Sequence, residues 1–159
     1  MPVCGKHRGV VVNNVDPQQI GRLQVTVPDV PEAQNVFAMP STPYAGPGVG
    51  FYFIPPIGAN VWVDFEDCDP NRPVWSGCFW SAGEAPTQGL ATVVEKKILK
   101  TENVTLTLDD LPGGGFTMET GGAKITLTQG IITIEDGLGA IIRLTGPSVD
   151  INNGGLVVT

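Results

Sequence analysis

Hydrophobic and polar residues alternate along most of this chain, and no window shows sustained recurrence at the 3.6-residue spacing of an amphipathic helix. The strongest alternation lies in residues 51–80. An apolar run turns at Pro55-Pro56 and Gly58 and re-enters as Val61-Trp62-Val63-Asp64-Phe65-Glu66. A loop of Asp, Asn and Pro over residues 67–73 leads to Val74-Trp75-Ser76-Gly77-Cys78-Phe79-Trp80. Such runs on either side of such a loop predict an antiparallel hairpin. All three tryptophans lie in it, which predicts a β-domain core here.

Upstream, a strand is expected at 9–13, a turn marked by Asp16-Pro17, and a returning strand at 21–27. In that strand Leu23, Val25 and Val27 alternate with Arg22, Gln24 and Thr26. Residues 28–47 contain Pro28, Pro31, Pro40, Pro43 and Pro47. They leave room for a short strand at 35–39 within an irregular connection of the kind that meets partners. Strands at 49–54, 61–66 and 74–80 complete a five- or six-stranded barrel, with residues 1–8 as an exposed lead-in. The domain is expected to span 1–84.

Residues 85–96 read as a linker. From Lys97 to Thr159 the chain turns to Thr, Ile, Leu and Gly, and short strands recur between Gly-rich turns. One face of these strands collects Val104, Leu106, Leu108, Phe116, Met118, Ile125, Leu127, Ile132, Ile134, Ile142, Leu144, Val149, Ile151, Leu156 and Val158. An imperfect repeat of this sort predicts a β-solenoid or β-prism. With no helix to cover it, this face would exceed the ~300–600 Å² of apolar patch usual on a monomer. Three copies around a threefold axis, meeting face to face and pairing edge to edge, would remove the problem.

Composition sharpens this picture. Fourteen prolines and 21 glycines in 159 residues fit an all-β chain of one or two domains. The net charge of −7 is spread evenly, and the lack of a basic patch disfavours nucleic-acid phosphate as a partner. No apolar run approaches the ~18 residues of a membrane helix, and MPVCGKHRG lacks the apolar centre of a signal peptide, so synthesis and folding in the cytoplasm are expected. Three cysteines cannot form a disulfide framework. A hairpin centred near Asn71 would set Cys78 opposite Trp62 and Cys68 in the loop, poorly placed to bridge. Cys78 is expected to be a small buried apolar residue, and Cys4 carries no expectation.

The order of features carries a resemblance. It runs Gly9-Val10-Val11, Asp16-Pro17, Ile20-Gly21-Arg22-Leu23-Gln24-Val25-Thr26-Val27-Pro28, Gly48-Val49-Gly50, Ile54-Pro55, Ile57-Gly58, Val61-Trp62-Val63-Asp64-Phe65 and Asp69-Pro70-Asn71-Arg72-Pro73. This resembles the OB-fold domain of the VgrG and phage baseplate assembly protein V family, the central spikes of contractile tails. Cys68 departs from the small residue usual before Asp69. Farther on, Ile125-Thr126-Leu127, Ile132-Thr133-Ile134-Glu135-Asp136-Gly137 and Gly146-Pro147-Ser148-Val149-Asp150-Ile151-Asn152 look like the family's C-terminal needle.

The resemblance implies an all-β protein: an N-terminal OB barrel, then a trimeric β-prism or β-helix needle with the apolar face as trimer core. It implies a virion tail baseplate or injection-system particle as the location, a target cell envelope that the needle breaches, and a baseplate hub as partner. The hub is expected to be a separate protein, since this chain starts directly at the barrel. The proline-rich connection, with Pro28, Pro31, Pro40, Pro43 and Tyr44, is the expected hub contact. The chain ends without the His-x-His of metal-tipped spikes, so Leu156, Val157, Val158 and Thr159 are expected to bind a separate PAAR-type tip protein. The ten or so linker residues leave no room for the lysozyme domain that some spikes carry.

Candidate chemistry is sparse. Asp64, Glu66, Asp67 and Asp69 lack the spacing of a calcium loop and read as a solvated face with an Asx-turn. His7, the only histidine, reads as a surface residue of the lead-in. Gly46-Pro47-Gly48-Val49-Gly50 only loosely resembles a phosphate loop and has no helix after it. No catalytic or metal residue and no cofactor is expected. The rival readings are a trimeric receptor-binding or adhesin-like tail fibre, which would carry exposed aromatics on the prism, and an OB-fold nucleic-acid binder.

Overall fold

The computed structural model describes residues 3–87 and 91–158. The chain divides into two compact units, residues 1–84 and 85–159.

The first unit is a closed barrel of five strands: β1 (His7–Asn13), β2 (Leu23–Thr26), β3 (Val36–Pro40), β6 (Asn60–Phe65) and β7 (Pro73–Phe79). Two short strands, β4 (Ala45–Gly46) and β5 (Val49–Gly50), form a separate ribbon between β3 and β6. In the barrel β1 pairs with β2 and β6, β2 with β3, and β6 with β7, all antiparallel. The parallel pair β3–β7 closes the ring. Alternation along each strand sends Val11, Leu23, Val25, Ala38, Val61, Val63, Phe65 and Trp75 inward, all buried. A closed ring lets these residues face one another, so the unit makes its own core.

Several expectations change here. The connection over 27–34 is not loose. Val27, Val30 and Ala33 are buried, and the backbone folds on itself through Val27 N–H to Ala33 O and Ala33 N–H to Val30 O at 2.9 Å each. Residues 51–54 form no barrel strand, because the chain turns into the β4–β5 ribbon instead. The tryptophans part company: Trp75 is buried and donates to Gly21 O at 3.1 Å, Trp62 is half-buried, and Trp80 is exposed. Val and Leu fill the barrel, because an interior of five short strands has room for small branched side chains.

The lead-in is also fastened. Cys4 and Cys68 form a disulfide with Cα atoms 4.6 Å apart, Val3 N–H donates to Cys68 O, and Val3 packs against the core. The hairpin register differs from that expected. Phe65 stands opposite Pro73, so the turn centres on Asp69, and Asp67 and Cys68 take left-handed φ values of 53° and 60°. That turn aims Cys68 back at Cys4. With a further register shift between Val61 and Val63, Cys78 faces Val61 rather than Trp62, and it is a free, exposed thiol rather than a buried one.

The second unit is a single eight-stranded antiparallel meander. Its strands are β8 (Lys96–Lys100), β9 (Val104–Asp109), β10 (Gly115–Thr120), β11 (Ala123–Thr128), β12 (Ile131–Glu135), β13 (Ile141–Thr145), β14 (Ser148–Ile151) and β15 (Leu156–Val158). β8 is a strand that the sequence reading had placed partly in the linker, where the Lys-rich run masked it. Each strand pairs only with its sequence neighbours, so the ladder bonds lie within one chain and open edges occur only on β8 and β15. Edge-to-edge pairing of copies is therefore open to those two strands alone.

Tight turns join the strands. The Asp136 carboxylate accepts N–H bonds from Leu138, Gly139 and Ala140 at 2.8 to 3.0 Å, which hold its pKa below the usual carboxylate value. Beside it Gly137, with φ 78°, would place a Cβ 2.6 Å from Gly122 O, so only glycine fits.

Candidate assembly surfaces

The register of the meander arranges its apolar residues in two continuous columns. One runs Leu108, Phe116, Leu127, Ile132, Leu144, Val149 and Val158. The other runs Leu99, Leu106, Met118, Ile125, Ile134, Ile142, Ile151 and Leu156. Directly opposed residues share a face, so both columns lie on the same side of the sheet. Val104 sits on that side too, at the end of β9 opposite Thr120. Thr107, Thr117, Thr126 and Thr133 form a matching column on the other side, continued by Arg143 and Asp150. Leu99 is the one apolar member absent from the sequence reading, which began the repeat at β9.

No described residue of this unit is buried. Ile134 is 42% exposed and Leu108 51%, values foreign to a finished core. Two flanking pairs, Lys96–Asp109 and Lys97–Asp110, tie β8 to the end of β9.

Of the expected tip residues, Leu156, Val157 and Val158 form the last strand and are exposed, and Thr159 lies outside the described residues. Of the expected hub residues, Pro28 and Pro31 are exposed on the turns after β2, Pro40 ends β3, and Pro43 and Tyr44 follow it. Pro40 and Tyr44 line a cleft of about 450 Å³ with Phe51, Tyr52, Phe53 and Trp75. Tyr44 and Phe51 meet edge to face at 6.3 Å, and Phe51 N–H donates to Tyr44 O at 2.9 Å. Gly50 permits this approach, since a Cβ there would lie 2.7 Å from Tyr44 O. The aromatic run Phe51-Tyr52-Phe53 was missed as a surface because its apolar character imitates a buried strand.

The acidic and histidine candidates have structural uses. The Asp16 carboxylate, 3% exposed, accepts N–H bonds from Gln18, Ile20 and Arg22 and is bridged by the Arg22 guanidinium at 2.7 Å. These contacts, Arg22 first, hold its pKa well below the ordinary carboxylate range. Asp69 caps its own turn through Asn71 N–H at 2.9 Å, while Glu66 and Asp67 pair with Arg72. Asp64 accepts from Ser76 at 3.2 Å. His7 belongs to β1 and not to a mobile lead-in: its ring meets Phe65 edge to face at 5.5 Å, with Nε2 buried and without a hydrogen-bond partner. Among the described residues no group of three or more His, Cys, Asp or Glu could hold a metal ion.

The stretches that carried the resemblance are thus turn-forming and core-forming elements of a barrel, followed by a sheet unable to bury its own apolar face. No curated protein matches the chain. Residues 7–80 match the family model for the type VI secretion system/phage-baseplate injector OB domain, and residues 96–157 match that for the phage baseplate V C-terminal trimerisation domain. The matched families are structural baseplate domains, and they do not single out VgrG. With both halves matched in order, the chain belongs to the phage baseplate V family, as a component of a phage baseplate or type VI secretion injector.

Proposed function

We propose that the protein is the non-enzymatic central spike of a contractile particle, a homotrimer whose sheets form the needle and whose barrels dock to a hub. The observation that carries this reading is the pair of uncovered apolar columns on a domain of the trimerisation family. Three such faces turned inward give a dry core, and removing that apolar area from water favours assembly at about 25 cal/mol per Å². Eight strands at ~4.8 Å spacing make a ladder of about 35 Å. Such a body resists bending because each strand is bonded along its whole length. It can pass on the force of sheath contraction to a target envelope.

The cleft lined by Pro40, Tyr44 and Phe51–Phe53 is the hub contact in this reading, with Pro43 beside it and Pro28 and Pro31 outside it. Exposed aromatics in a shallow cleft suit a partner's apolar anchor. The open edge of β15 offers unpaired backbone groups and three apolar side chains to a PAAR-type tip protein. Light scattering on the purified protein should give three times 16.7 kDa, and a stable monomer at micromolar concentration would end the spike reading. Deleting residues 154–159 should abolish capping and leave the trimer intact; normal capping of the truncated spike would remove β15 from the tip contact.

A further inference from the structure

The barrel has a second apolar surface, which adjoins the hub cleft at Phe53 and Ile54 and is otherwise left unused by the hub and tip contacts. Phe53, Ile57, Cys78, Phe79 and Trp80 line a groove of about 520 Å³, with Glu84 at its rim. Trp80 is 67% exposed and Ile57 62%, and Cys78 is the one free thiol among the described residues. An indole, an isoleucine and a thiol exposed together mark a surface that assembly covers. We propose that this groove is where the three barrels of the trimer meet, its three copies converging on the threefold axis with Cys78 buried among them. The proposal rests on the trimeric reading given above.

A second copy of this chain is the occupant for two reasons. The first is tethering. The chain leaves the barrel at the groove's own wall, and its exit is pinned there: Ser81 N–H donates to the Glu84 carboxylate at 2.6 Å, and Asn60 Nδ2 donates to both Ser81 Oγ and Glu84. Residues 85–95 then lead to β8 of the trimerisation unit. Fully extended, that span reaches at most about 40 Å. Three groove rims leashed to one trimeric body face one another at effective concentrations of about millimolar, so a weak apolar contact suffices to close them.

The second reason is charge. Glu84 is the only Asp, Glu, Lys or Arg lining the groove, and Ser81 and Asn60 hold it at the rim. Three copies can therefore converge without burying like charges against one another. A contact on a threefold axis requires this, because residues at the axis meet their own copies.

The test uses the full chain without reductant or partners. Maleimide labelling is followed on the Cys78 peptide by mass spectrometry, and light scattering reports the oligomer. In the trimer, Cys78 should react at least tenfold more slowly than in the denatured chain. Trp80→Glu should bring labelling back to within about threefold of the denatured rate while the sheets keep the trimer together. Fast labelling in an intact trimer would overturn the groove contact and leave the spike reading standing. Slow labelling that Trp80→Glu does not relieve would overturn it as well, by showing that a single barrel shields the thiol. A monomer whose thiol labels rapidly would overturn both readings.

Discussion

The barrel and the sheet are written in the same alternating pattern, and they end in opposite states. In the barrel the parallel pair β3–β7 joins strands distant in sequence and closes the ring, so Leu23, Val25, Val61 and Val63 become fully buried. In the meander every strand pairs with its sequence neighbour, and no described residue of the unit is buried. Ile125, Ile134 and Ile142 stand in register, and none of them is buried. Alternation thus decides which residues share a face, whereas the pairing topology decides whether the chain can cover that face alone. One unit is self-sufficient and the other depends on copies of itself.

This contrast can be broken most sharply at the sheet. Replacing Ile142 by Asp would bring three carboxylates together in the shared core, where unpaired charge is not tolerated. The expected outcome is complete loss of the trimer by light scattering, with the barrel's own near-ultraviolet signal from buried Trp75 retained. The converse variant is Leu23→Ala. It should cost the barrel about 2–5 kcal/mol through a cavity and leave the oligomer unchanged, as a barrel-specific melting transition would report.

Two smaller effects sharpen the comparison further. The Cys4–Cys68 bridge closes a loop with a sequence separation of 64, and Cys4→Ser should lower barrel stability by about 2–4 kcal/mol. Reductant should reproduce that shift in the native protein and leave the sheet's transition in place. Acid should have the gentlest effect. Asp16 in the barrel and Asp136 in the sheet both have folded pKa values held below the ordinary 3.8. Their contribution is full above that value and is lost as pH falls through the lower folded values. Asp16→Asn should flatten the acid limb of the barrel's transition and not that of the sheet, as melts between pH 5 and pH 2 would show.

Much of the fold was legible because strand alternation and turn chemistry act locally. The strand pairs β1–β2 and β6–β7, the short strand in the proline-rich connection and the meander's repeating apolar residues follow from side chains a few positions apart. The failures fall where distant residues meet. Phe51-Tyr52-Phe53 has the composition of a core strand, and only the ribbon at β4–β5 turns it outward. Cys78 was placed wrongly because its partner depends on where the hairpin turn centres and on a bulge between Val61 and Val63 that no local pattern marks.

By itself, then, the sequence determined an all-β chain of two units, the face each side chain shares, and an apolar surface in the second half with no helix to cover it. Those properties follow from period-two geometry and from the turn preferences of Gly, Pro and Asp, which need no knowledge of the rest of the molecule. Only the tertiary structure decided that β3 meets β7, that Cys4 reaches Cys68 and that Trp80 stands outside the barrel. It also decided that the meander leaves open edges only on β8 and β15. Each of these depends on how closure brings together residues far apart in sequence, and no local pattern records that distance.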